Sequence, residues 1–117
     1  MKKIILDTNF ILTCLKYRVD ILEEIKRIID FPYQVYIIDK TLDELEGKKL
    51  EKLAKTFIKK ISIIKTEKDK SVDRLLLDQK DSIVATQDKL LKEKLKKAEI
   101  PIIILRQKKY LILQNVL

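Results

Sequence analysis

Five short strand-like runs, Lys3–Leu6, Val35–Ile38, Ile61–Ile64, Ser82–Ala85 and Ile102–Leu105, recur along the chain, and longer stretches of helical period separate them. The runs are apolar at consecutive positions rather than alternate ones, so each strand needs cover on both faces. Strands of that kind alternating with helices predict a parallel five-stranded sheet between two helical layers, an α/β/α sandwich. Right-handed crossovers in such a sheet bring functional residues to the carboxyl ends of the strands, beside the point where strand order reverses.

The intervening segments carry helix signals. Asp20 with Glu23 reads as an N-cap and its partner ahead of Ile21–Ile29, and Thr41-Leu42-Asp43-Glu44 has capping-box spacing for a further helix. Gly47, the only glycine, marks a break before the helix that contains Leu50–Ile58. Ser71 is placed to cap Val72–Leu77 after the polar loop Thr66–Lys70, and Asp88 to cap a lysine-rich amphipathic helix with Leu90, Leu91 and Leu95 on its apolar side. Arg106–Lys109 leads into a last short apolar stretch, Tyr110–Leu113. No repeat, linker or low-complexity tract divides the sequence, so residues 1–117 read as one domain.

Composition narrows the chemistry. The 117 residues include one cysteine, Cys14, and no histidine. A disulfide framework, a zinc finger or ribbon, and catalysis through a Ser-His-Asp or Cys-His pair are therefore excluded. No apolar run approaches the ~20 residues that cross a bilayer, and the run after Met1-Lys2-Lys3 is too short for a signal peptide. The expectation is a cytoplasmic protein with no membrane partner. A formal charge of +8 raises the prospect of a polyanionic partner, nucleic acid first. A solvated lysine-rich surface is the plainer account of the same number.

Four acids fall near the functional edge. Asp7 follows the first strand, Glu44 lies in the turn after the second, Asp73 opens the helix ahead of the fourth strand and Asp88 stands just past that strand. Singly, each has a structural explanation as a strand terminator, helix cap or dipole partner. Jointly they would repel and raise one another's pKa unless a cation neutralised them. With only oxygen ligands on offer, that cation would be hard, Mg²⁺ or Mn²⁺, able to polarise a water for attack on a phosphoryl group.

The segments Leu6-Asp7-Thr8-Asn9-Phe10-Ile11-Leu12, Leu42-Asp43-Glu44-Leu45-Glu46, Val72-Asp73 and Ile83-Val84-Ala85-Thr86-Gln87-Asp88-Lys89-Leu90-Leu91, in that order and spacing, resemble the PIN-domain nucleases. The ending Ile100-Pro101-Ile102-Ile103-Ile104-Leu105-Arg106-Gln107-Lys108-Lys109-Tyr110 is similar to small archaeal members, which resemble nucleases of small-subunit ribosomal RNA processing. The resemblance implies a Rossmann-like sheet of order 3-2-1-4-5 and metal-dependent endonucleolytic cleavage of RNA. Asp7 and Asp88 would then be the principal metal ligands, with Glu44 and Asp73 holding the same ion, a second one or its waters. Thr8, Asn9 and Thr86 would orient those carboxylates. Gln87 stands where an Asn is usual, and Arg74 follows Asp73 where many members have a second acid.

RNA phosphates would be held by Arg106, Lys108 and Lys109, by Lys89 and Lys92, and by Arg74. Tyr110 either stacks on a base or packs on the sheet as an edge-strand aromatic. Partner expectations beyond RNA are a second copy of the chain, an antitoxin in the VapC-like toxin reading, or pre-ribosomal proteins in the processing reading. A PIN-like RNA-binding or ribosome-assembly module without catalysis is the alternative from a different class.

Overall fold

The computed structural model describes residues 1–66, 70–79 and 81–114. Part of the polar loop expected at Thr66–Lys70 therefore lies outside the described residues. The elements run β1 (Lys2–Leu6), α1 (Thr8–Lys16), α2 (Ile21–Ile28), β2 (Tyr33–Ile38), α3 (Lys40–Leu45), α4 (Glu51–Ile58), β3 (Ser62–Ile64), α5 (Val72–Leu77), β4 (Ser82–Ala85), α6 (Lys89–Lys97), β5 (Ile102–Arg106) and β6 (Tyr110–Gln114).

One sheet orders these strands β3-β2-β1-β4-β5-β6. The first five are parallel, with Ile4 beside Val35 on one flank and Ile83 on the other. Alternation along each strand divides the apolar residues between two cores. Ile4, Leu6, Val35, Ile37, Ile83, Ala85, Ile103 and Leu105 face the layer that holds α1, α2 and α4. Ile5, Ile38, Val84, Ile102 and Ile104 face α5 and α6, where Leu75, Leu76, Leu91 and Leu95 complete the packing, whereas Leu90, expected on the same side of α6, is exposed because it points away from the sheet at the helix start. Consecutive apolar residues are thus buried on opposite sides, as a sheet covered twice requires.

The sheet has a sixth strand beyond the five expected. β6 returns antiparallel to β5, pairing Leu105 with Leu111 and Arg106 with Tyr110. Its turn, closed by the Lys109 N–H donating to the Arg106 carbonyl at 3.0 Å, places Gln107 at φ 52 and Lys108 at φ 57. Asn-Gly or Asp-Gly is the usual signal for such a turn; Gln-Lys gives none, which is why the hairpin was not evident. As the edge strand, β6 needs partners for its outward groups. The Leu111 N–H donates to Glu24 Oε1 at 2.9 Å and the Leu111 carbonyl accepts from Arg27 at 2.9 Å. An Arg27–Glu24 ion pair on α2 therefore closes the middle of the open edge.

A second correction concerns α3. Thr41 and Glu44 do not form the expected capping box. Asp39 is the cap, accepting the Lys40 N–H and both the N–H and hydroxyl of Thr66, while Thr41 is buried inside the helix. Asp39 thereby ties the end of β2 to the chain leaving β3. The expected caps Asp20, Ser71 and Asp88 accept the N–H groups of Glu23, Arg74 and Leu91 respectively.

Candidate active site

Strand order reverses between β1 and β4, and Asp7 is the first residue past β1. Its N–H still donates to the Ala85 carbonyl at 2.9 Å, so its side chain stands where the β1–β4 ladder ends. The residue is only 7% exposed. Oδ1 accepts the Thr8 N–H at 2.9 Å, capping α1, and Oδ2 accepts the Thr86 hydroxyl at 2.9 Å. The same Thr86 oxygen, fully buried, accepts the Asp88 N–H at 3.1 Å. One hydroxyl thus joins the ends of the two central strands and fixes the start of α6.

Glu44, released from a capping role, turns toward α1, where the Thr8 hydroxyl donates to its Oε1 at 2.7 Å. Burial pushes the Asp7 carboxyl up to about 6, against the hydrogen bonds from Thr86 and Thr8, and the negative charges of Glu44 and Asp73 add to the rise. Asp7, Glu44 and Asp73 are therefore an interacting set of acids, and Asp88 is linked to them through Thr86. Asn9 stands exposed on the first turn of α1; the hydrogen bonds that hold this edge come from Thr8 and Thr86.

The nearest cations are not all those expected. Arg74 Nε lies 3.4 Å from Asp78, and Lys94 Nζ lies 3.7 Å from Asp73 Oδ2. The positive charge facing Asp73 is thus Lys94, which sequence reasoning missed because α5 and α6 come together only in the fold. Lys92 is half-buried, and its ammonium is pushed below the usual lysine range by burial and by Lys96, with Asp88 opposing. Lys89, Arg106, Lys108 and Lys109 are exposed, whereas Tyr110 is half-buried in β6. Gln87 turns inward: its Oε1 accepts the Leu105 N–H at 2.6 Å and its amide donates to the Leu105 carbonyl at 3.4 Å. That side chain continues the β4–β5 pairing past the end of β4.

Among the described residues, no group of three acidic side chains is arranged to hold a metal ion. The donor chemistry nevertheless fits a hard divalent cation, since the groups at this edge are carboxylates and the innermost is held against ionisation by burial and by the charges of Glu44 and Asp73.

Residues 4–108 match the family described as "PIN like domain". The chain is 32% identical to Ribonuclease VapC4 of Methanocaldococcus jannaschii, over 94% of its own length and 95% of the relative's. It is also similar to a solved structure of the PIN domain endonuclease Utp24, with a TM-score of 0.81 and 26% identity, covering 97% of this chain and 91% of that one. Acids at the carboxyl edge of the parallel strands in a 3-2-1-4-5-6 sheet and a family match spanning nearly every element lead to one conclusion: the chain belongs to the PIN-like domain family.

Proposed function

We propose that the protein is a divalent-metal-dependent endoribonuclease that hydrolyses RNA phosphodiester bonds. The observation that carries this reading is Asp7, buried at the strand-reversal point and pushed up to about 6 with two further acids acting on it. Such a site costs stability as it stands, and a bound cation would offset that cost. The ribonuclease and endonuclease names of the two relatives support the reaction class.

Asp7 would be the anchoring ligand, with Glu44, Asp73 and Asp88 around the same Mg²⁺ or Mn²⁺. The ion, when bound, polarises a water and stabilises charge developing on the phosphoryl oxygens. The chain's own contribution is orientation. Thr86 and the Thr8 N–H hold both Asp7 oxygens, and the Thr8 hydroxyl holds Glu44. Lys94, 3.7 Å from Asp73, would compete with such a cation for that carboxylate. Arg106, Lys108, Lys109, Lys89 and Lys92 would hold RNA phosphates, as would Arg74 once drawn from Asp78.

Purified protein with Mg²⁺ or Mn²⁺ is expected to cut single-stranded RNA, and Asp7→Asn to abolish cutting. An Asp7→Asn variant as active as wild type refutes the mechanism. The 3.7 Å approach of Lys94 to Asp73 favours a second reading, an RNA-binding module without turnover. Salt-sensitive RNA binding with no chelator-sensitive products would establish it. For the biological role, resemblance to a VapC ribonuclease supports a toxin paired with an antitoxin, while ribosomal RNA processing with pre-ribosomal proteins is the other role. Identifying the proteins and RNA that co-purify with the chain separates them, and a mass measurement in solution tests the expected homodimer.

A further inference from the structure

Tyr17, the residue that ends α1, is half-buried against the core, and two ammonium groups approach its ring. Lys16 Nζ lies 5.3 Å from the ring centroid and Lys108 Nζ 5.2 Å from it. Lys108 arrives from the β5–β6 turn, so two remote parts of the chain meet at one aromatic ring. Arg18 follows as the next residue. Its N–H donates to the Leu15 carbonyl and that of Val19 to the Cys14 carbonyl, a helix-ending motif that puts Arg18 at φ 57.

Glycine suits that position best, because a Cβ is disfavoured at positive φ. The same holds for Gln107 and Lys108 in the turn. Among the described residues, Arg18 follows the ring directly in sequence and Lys108, whose ammonium approaches it, lies in the turn, and both carry positive φ. Asp81 and Glu99, also at positive φ, precede β4 and β5 at the opposite edge of the sheet. The helix end and the hairpin turn thus bring basic side chains from two distant segments to one aromatic ring.

We propose that Tyr17 is a stacking platform for one base of a single-stranded RNA, with Lys16, Arg18 and Lys108 holding the flanking phosphates. The proposal rests on the reading of RNA as the substrate. Stacking accepts any base, because every base has a π-face. The two lysines are flexible, and a phosphate is the stronger attraction for an ammonium, so strand binding can draw them off the ring and open its face. The nine residues of α1, rising 1.5 Å each, set Tyr17 on the order of 15 Å from Asp7. About four stacked nucleotides at 3.4 Å cover that span. One strand can therefore reach from the acids to the ring.

The test is fluorescence anisotropy with a labelled single-stranded RNA of about twelve nucleotides, a length within common single-strand sites, in EDTA so that nothing is cleaved. Tyr17→Ala is expected to weaken binding about tenfold and Tyr17→Phe to bind like wild type. Lys108→Ala should lower the slope of log affinity against log salt by about 0.7. Because Tyr17 also packs on the core, Lys108→Glu, in an exposed turn, serves as a second variant and is expected to weaken binding. Wild-type affinity in both Tyr17→Ala and Lys108→Glu overturns the proposal and leaves the nuclease reading standing. Failure of the wild-type protein to bind any single-stranded RNA overturns both.

Discussion

Replacing Asp7 with Asn should make the metal-free protein more stable while removing the proposed activity. The folded protein holds the Asp7 proton up to about 6, whereas the unfolded chain releases it near the ordinary 3.8. Folding therefore takes up a proton between those two values, and wild-type stability falls as pH rises through that window. Above it the full cost applies: the gap corresponds to about 3 kcal/mol at 1.36 kcal/mol per pH unit. Asn carries no charge and keeps an oxygen for the Thr8 N–H, but cannot accept the Thr86 hydroxyl on its second atom, a loss of about 1 kcal/mol. The net expectation at pH 7.5 is a gain of about 2 kcal/mol, read as a shift in urea midpoint at unchanged slope. At pH 4 the advantage should vanish or reverse, because the wild-type carboxyl is then neutral when folded. Adding Mg²⁺ at a hundred times its dissociation constant should restore about 2.7 kcal/mol to the wild type and nothing to the variant. An Asp7→Asn protein no more stable than wild type at pH 7.5 in EDTA refutes the reasoning.

Thr86→Val, by removing the hydroxyl shared between Asp7 and the Asp88 N–H, should weaken metal affinity about ten- to hundredfold, measured as the Mg²⁺ dependence of cleavage. Lys94→Gln should leave stability within about 0.5 kcal/mol, its ion pair being exposed, yet lower the Mg²⁺ concentration needed for half-maximal rate; an unchanged requirement refutes competition for Asp73. Replacing Gln107-Lys108 by Asn-Gly suits the positive φ of both residues and should stabilise the hairpin by about 1 kcal/mol. The same double variant should bind RNA more weakly than wild type, so a melting scan and a binding curve are expected to move in opposite directions.

Much of the sheet was legible because each strand is apolar at successive positions and ends at a polar punctuation residue such as Asp7, Asp39 or Thr86. Caps that act within one helical turn, as at Asp20, Ser71 and Asp88, were legible for the same reason. The features that escaped depend on approach between distant segments. β6 was hidden because its turn uses Gln107 and Lys108 where small residues usually signal a hairpin. Glu44 was assigned a local partner in Thr41, but Asp39 had already taken the cap, and the partner it found was Thr8. The acids were visible as a set along the sequence, whereas Lys94 beside Asp73 and Lys108 over Tyr17 required the helices and the hairpin to be in place.

The Glu24–Arg27 pair also bears on how copies of this chain can meet. Both backbone groups of Leu111 are bonded to α2 side chains, so a strand from another molecule cannot run along β6 without first dislodging that helix. The barrier to growth on this flank is made of side chains, and two substitutions could remove it. Sheet growth on the β6 flank is therefore expected only once that pair is gone, and an Arg27→Ala, Glu24→Ala protein to lengthen its sheet there by recruiting its neighbours.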